Sequence, residues 1–334
     1  MTELHDKGRI VSQGKERATM QAVVQHEYGS PAMLDVAEIS KPAPKANEVL
    51  ISVRAAGINF ADPKVMRGEP YVFRLMYGIR SPRNEVPLFD LAGVVDAVGE
   101  DVTTLRPGEA VYGACTGALA EYACGRANRF VPKPVNLTFA EAAAVPQTGC
   151  VALQALRDVA HVEAGQSVLI NGASGGVGTY AVQVAKAFGA EVTGVCSPAS
   201  ADMVRSIGAD RVIDYTRDDF TQGDERYDVI LDNVENHSQA ACRRVLNPGG
   251  VLIPNNGESL ARVLKGFVLA PFVRPKLRRF LSLTKPDDLR DLTRLIESGK
   301  VTPIVDRSFP LEASADAFAH METGHVHGKV VVTI

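Results

Sequence analysis

Apolar and polar positions change rhythm once along this chain of 334 residues. From Met20 to about Val145, short runs such as MQAVVQHEY, EVLISVRAAGI, DLAGVVDAVG, EAVYGA and ALAEYA are cut by Pro and Gly, the pattern of extended strands joined by turns. After Ala142, apolar β-branched runs alternate with helix-length segments: SVLI, TYAVQVAKAFG, EVTGV, ADMVRSIG, DRVID, YDVILD, QAACRRVL and GGVLI. That alternation predicts a parallel, doubly wound α/β sheet. In the first of these helices Ala181, Val184, Ala185 and Phe188 fall at i, i+3, i+4 and i+7, so one face packs on the sheet, and Gly189 stands where a left-handed cap ends it. The segment DDLRDLTRLIESG keeps a helical period. The tail FPLEASADAFAHMETGHVHGKVVVTI ends in a helix and a strand expected to return to the first, β-rich unit.

Composition narrows the function classes. The length suits about two domains of roughly 150 residues each, and 46% hydrophobic with 22% charged residues is the profile of a soluble globular chain. A net charge of -3, from 36 basic and 39 acidic residues, supplies no global field for nucleic acid or anionic lipid. No run approaches the roughly 18 apolar residues of a membrane span; the most apolar stretch, Gly266 to Val273, is short and contains Pro271. Cys115, Cys124, Cys150, Cys196 and Cys242 are odd in number, widely spaced and never in CxxC, so neither a disulfide framework nor a zinc ribbon is expected, and a reducing cytoplasm is the simplest location. Residues 1–19 lack an apolar core and mix both charges, which reads as a solvated arm rather than a signal peptide.

The most informative segment runs from Val168 to Thr179, VLINGASGGVGT: a buried strand, a glycine-rich turn, then the amphipathic helix. Against the GxGxxG fingerprint the matching positions are Ala173, Gly175 and Gly178, with the first glycine replaced. Gly175 and Gly176 let backbone approach a pyrophosphate, with Ser174 and Val177 on the same turn. Gly178 lets helix and strand pack closely, and the first amides of the helix meet negative charge.

INGASGGVGTYAVQVAKAFGAEV followed by VRSIGADRVIDYTRDDF resembles the cofactor domain of the medium-chain dehydrogenase/reductase superfamily, in its zinc-free quinone-oxidoreductase-like (zeta-crystallin-like) branch. The likeness extends through MQAVVQHEYG, AAGINFADPKVMRG, DLAGVVDAVG, LRPGEAVYG, GALAEYA, NLTFAEAAAVP and GHVHGKVVVTI. It implies a GroES-like β-rich catalytic domain (20–146 and 284–334), a Rossmann cofactor domain (147–283) after the 1–19 arm, a site in the cleft between them, and a homodimer. The activity implied is NADPH-dependent hydride transfer to a quinone or α,β-unsaturated carbonyl. An enoyl-thioester reductase and a cofactor-binding protein without turnover stand as alternatives.

In NAD-binding relatives an acidic residue ends the second strand, whereas this chain has Cys196-Ser197-Pro198, which favours the 2′-phosphate of NADPH. The resemblance assigns Ser197, Ser200 and Tyr215 to that phosphate; turn and cap roles suit the two serines equally. Asn233 and Val234, and Asn255, Asn256 and Gly257, end two later strands and would touch nicotinamide and ribose, or serve as structural turns. Zinc enzymes resembling this chain carry Cys where Asn59 stands and His-Glu where Phe89-Asp90 stands, so no zinc is expected. Asn59 and Asp62 are the candidate polar groups of the cleft, with helix N-capping as their structural alternative, and Thr148 opens a helix against the nicotinamide. Lys64 reads as a surface charge. Leu88 replaces a glycine of relatives. His325 and His327 read as a solvated turn, and Arg274, Lys276, Arg278 and Arg279 as a solvated basic face, a cover of the cleft or a partner contact.

Overall fold

The computed structural model describes residues 18–256 and 276–334. Most of the expected arm, the Gly266–Val273 stretch, Gly257 and Arg274 lie outside the described residues. The first strand, Thr19–Val24, starts one residue before Met20 and pairs antiparallel with Asp35–Ser40. A seven-stranded sheet follows, ordered Val305–Pro310, Lys329–Thr333, Glu48–Ile58, Asp90–Val98, Ala110–Ala114 and Phe130–Pro132, with Tyr122–Arg126 also on Glu48–Ile58. The last strand does return to the β-rich unit: Val330 faces Ile58 and Thr333 faces Ala55.

The second sheet is parallel, in the order Arg211–Asp214, Glu191–Cys196, Ser167–Asn171, Tyr227–Asp232, Leu246–Pro254 and Lys276–Leu277. In order of sequence this is 3-2-1-4-5-6, the doubly wound arrangement whose crevice opens where Ser167–Asn171 meets Tyr227–Asp232. The amphipathic helix occupies Gly176–Ala187, and Gly189 follows it at φ +83. The helices Pro286–Glu297 and Ser314–Glu322 stand where the periodicity puts them. One boundary differs. The strand Leu246–Pro254 takes in Asn247 to Gly250, a turn by composition, because Tyr227 pairs Leu246 before the register shifts ahead of Val229.

The main apolar core is continuous across both sheets: Ala55, Ala92 and Tyr112 of the first share it with Val168, Ile170 and Val229 of the second, through Ala152, Leu153, Leu289 and Leu292. Polar ties reinforce the junction. The Tyr112 hydroxyl donates to Leu289 O at 2.7 Å, and Gln183 exchanges two hydrogen bonds with the Thr302 backbone at 2.9 and 2.7 Å. Just before the last strand, Gly328 N donates to Ser174 O of the glycine-rich turn at 2.8 Å. No helix among the described residues is long and apolar enough to cross a membrane.

Candidate active site

The glycine turn has the shape an anion requires. Gly172 takes φ +77, and a Cβ on Gly178 would lie 2.0 Å from Gly172 O, so only glycine fits where the helix crosses the strand. Gly175 and Gly176 are roomier, their added Cβ atoms meeting nothing nearer than 3.6 and 3.3 Å. Gly175 is the N-cap, no side chain caps the helix, and so its first amides, on Gly176, Val177 and Gly178, are left for a ligand. The turn fits a dinucleotide pyrophosphate.

On the other side of the crevice, Val234 approaches Gly172, its Cγ2 lying 2.9 Å from where a Cβ on that glycine would stand. Asp232 Oδ1 accepts from Asn171 Nδ2 at 2.8 Å and from the backbone of Val234 and Glu235. The asparagines interlock: Asn233 Nδ2 donates to Asn171 O, Asn255 Nδ2 to Asn233 Oδ1 at 2.8 Å, and Asn256 Nδ2 to Val234 O. Among the described residues Asn256 Oδ1 is buried without a hydrogen-bond partner, an acceptor for an incoming amide or hydroxyl. Behind this wall Arg279 is not part of a solvated basic face. Its guanidinium is buried and pairs with Glu235 at 2.7 Å, while Arg278 is exposed.

At the end of the second strand, the Ser197 and Ser200 hydroxyls are 3.1 Å apart, and Ser200 Oγ lies 2.8 Å from His327 Nδ1. The solvated-turn reading of His327 is therefore corrected: its ring packs on the Rossmann lobe. His325 keeps to the turn, its N–H donating to Thr323 Oγ1. Tyr215 is exposed nearby in sequence, and Arg205 pairs with Asp202 on its own helix.

The side of the site that holds Asn59 is a buried polar cluster. Gly57 is pressed by the helix Phe139–Ala143, where an added Cβ would come within 2.3 Å of Ala143 O, and this contact fixes the strand end from which Asn59 projects. Asn59 is 3% exposed. Its Nδ2 donates to Asp90 Oδ2 at 3.1 Å, its Oδ1 accepts from Lys329 Nζ at 2.6 Å, and its N–H donates to Asp62 Oδ2 at 2.6 Å. Neither Asn59 nor Asp62 is the N-cap of the helix Asp62–Arg67; Ala61 holds that position without a side-chain bond. Lys329, 2% exposed, also donates to Ile58 O at 2.7 Å. Asp90 is wholly buried; Oδ2 also accepts from Gln147 N at 2.9 Å, in the first turn of the helix Pro146–Gln154, and Oδ1 has no partner among the described residues. Thr148 turns its hydroxyl back to Ala144 O at 3.0 Å, leaving its methyl near Gly176.

Burial sets the charge states. It pushes the Asp62 carboxyl up to about 7, with the Asp90 charge acting in the same direction. Asp90 is raised and Lys329 lowered by the same loss of water, each opposed by the other's charge. Cys150 is buried and its thiol pushed far up, the reverse of a nucleophile's environment. Next to Asp62 a cavity is lined by Tyr28, Tyr77, Leu88, Phe89 and Thr116. Leu88 adopts φ +67, a left-handed conformation that favours glycine, and its carbonyl accepts from Gly117 and Ala118. Lys64 sits over the Phe60 ring, 4.0 Å from its centroid.

Lys329 is the residue that motif reading misses. Its signal is a single charge at the mouth of the apolar run VVVTI, where a strand buried on both faces begins. The cluster does not fit zinc: the positions hold an amide, an aromatic ring and a carboxylate, the lysine ammonium reaches the same amide, and among the described residues no three His, Cys, Asp or Glu converge to hold a metal.

Residues 45–155 match the family described as alcohol dehydrogenase GroES-like domain, and residues 207–332 the family described as zinc-binding dehydrogenase. The chain is 34% identical to 2-methylene-furan-3-one reductase of Solanum lycopersicum and 35% identical to the chloroplastic NADPH-dependent alkenal/one oxidoreductase of Arabidopsis thaliana; each match covers 94% of this chain and 79% of the relative. Among solved structures, the quinone oxidoreductase from Coxiella burnetii superposes with a TM-score of 0.85 at 28% identity, covering 95% of this chain and 100% of the other. The CurK enoyl reductase does so with a TM-score of 0.82 at 27% identity, covering 94% and 99%.

Proposed function

Because the chain belongs to the medium-chain dehydrogenase/reductase superfamily, we propose that it is a zinc-independent, NADPH-dependent reductase of quinones or α,β-unsaturated carbonyls. The observation that carries this reading is the Asn59–Lys329–Asp90 cluster, whose Lys329 side chain lies against Gly176 of the glycine turn. The bound cofactor supplies the hydride. Asn59 Nδ2 has a second hydrogen beyond the one given to Asp90, and Lys329 Nζ a third, so both can donate to an oxygen that gathers negative charge. A quinone or enone spreads the arriving charge onto such an oxygen, so hydrogen-bond donors suffice where a simple ketone calls for a Lewis acid. Asp62, with a carboxyl raised to about 7, can hold a proton at neutral pH beside the cavity.

Ser197 in place of an acid supports NADPH over NADH. Five free cysteines suit a reducing compartment such as the cytoplasm, the family resemblance supports a homodimer, and the absence of a long apolar helix among the described residues and a net charge of -3 support neither a membrane nor a nucleic-acid partner. The likeness to the CurK enoyl reductase favours one second reading, an enoyl-thioester reductase. Consumption of NADPH and NADH across quinones, enones and enoyl thioesters, with and without a chelator, tests both. Chelator-resistant turnover of quinones or enones with NADPH is expected. Turnover confined to thioesters would install the second reading, and no turnover of any substrate would leave a binding protein.

A further inference from the structure

We propose that His327 is a specificity-determining residue, reaching from the GroES-like lobe across the cleft to bind the 2′-phosphate of the cofactor; this rests on the NADPH reading above. The turn that ends the second Rossmann strand brings no basic side chain of its own. The turn Ser197 to Ser200 contains no Lys or Arg, and the nearest arginine along the chain, Arg205, is engaged with Asp202 at 3.0 Å. His327 instead arrives from a loop 127 residues away in sequence, and its Nδ1 meets Ser200 Oγ at 2.8 Å. Ser200 is 1% exposed, and its hydroxyl lies between Ser197 Oγ and His327 Nδ1, which places the imidazole beside the Ser197 turn.

The ring is held by its own backbone. Gly328 N donates to Ser174 O of the glycine turn at 2.8 Å, Lys329 N to Ile304 O at 2.8 Å, and the Lys329 side chain is anchored on Asn59. The same few residues therefore touch the pyrophosphate turn, the adenosine end and the hydride end of the cleft. With Ser200 on Nδ1, Nε2 is the nitrogen left for a ligand oxygen, and an N–H donated to a phosphate is a charge-assisted bond. Losing one such bond costs roughly ten- to a hundredfold in affinity.

The test is equilibrium titration of the purified full chain, followed by fluorescence, with NADPH, NADH, 2′,5′-ADP and 5′-AMP. It is run on the wild type, His327→Ala, His327→Gln and His327→Arg. His327→Ala is expected to weaken NADPH and 2′,5′-ADP by roughly ten- to a hundredfold while NADH and 5′-AMP change less than about threefold. His327→Gln should fall between, and His327→Arg should restore NADPH affinity. Equal weakening of all four ligands would reduce His327 to a structural brace, and unchanged NADPH affinity would remove it from the site; either overturns the proposal. The wild-type arm isolates the premise: binding NADH as tightly as NADPH would overturn the NADPH reading and this inference with it.

Discussion

Asp62 carries a carboxyl that burial has moved from 3.8 to about 7. Between those two values the folded chain keeps a proton that the unfolded chain has released, so the stability tied to Asp62 is complete below about pH 4 and is lost as pH rises through about 7. Asp62→Asn retains an oxygen for the Asn59 N–H and cannot ionise. Its urea midpoint should therefore fall less than that of the wild type between about pH 5 and about pH 8; parallel profiles would place the titration elsewhere. Asn59→Ala tests the neighbouring donor: turnover should drop on the order of a hundredfold or less, with NADPH affinity little changed. Abolished cofactor binding would make Asn59 structural, and full activity would remove it from carbonyl polarisation. Asn59 and Asp62 are legible in GINFAD because they replace or follow recognisable ligand positions. Lys329 and His327 are not, since each gains its meaning from a partner more than 120 residues away.

The helix Pro146–Gln154 aims its first turn at Asp90, whose Oδ2 takes the Gln147 N–H, while the Lys329 charge, linked to the same buried carboxylate through Asn59, opposes the rise that burial causes. Removing one member of a buried charge pair strands the other. Lys329→Met should cost about 3 kcal/mol or more, whereas the double variant Lys329→Met/Asp90→Asn should recover much of that loss. A double variant no better than the sum of the singles would show that Lys329 and Asp90 are not coupled. At this scale the alternation of apolar runs already reads as the parallel sheet, and the glycine turn sits where its motif puts it. Two features escape periodicity: the strand Leu246–Pro254 extends through a glycine-rich stretch because a neighbouring strand pairs it, and Pro146–Gln154 runs on into a π-helical segment, Ala155–Ala160.

The two lobes are joined by one apolar core and by a short return of the chain that serves both. Gly328 is its pivot. It takes φ +90, its N–H holds the glycine turn through Ser174 O, and a Cβ there would lie 2.3 Å from Ile304 O, so any side chain must push the segment off the neighbouring strand. Movement at this point would displace His327 from Ser200 and Lys329 from Asn59 together, because the two flank it directly. Gly328→Ala should thus damage properties that no single site residue links: lower stability by about 1–3 kcal/mol from the strained backbone, weaker binding of NADPH, and slower turnover at saturating cofactor. The cofactor adds its own measure of the junction. Bound at about 100 times its Kd, NADPH should stabilise the wild type by about 2.7 kcal/mol against unfolding, and at the same concentration the variant should gain clearly less. Equal stabilisation of both proteins, with turnover intact, would mean that the return segment can shift without disturbing the cleft, and that the lobes are positioned by their apolar core alone.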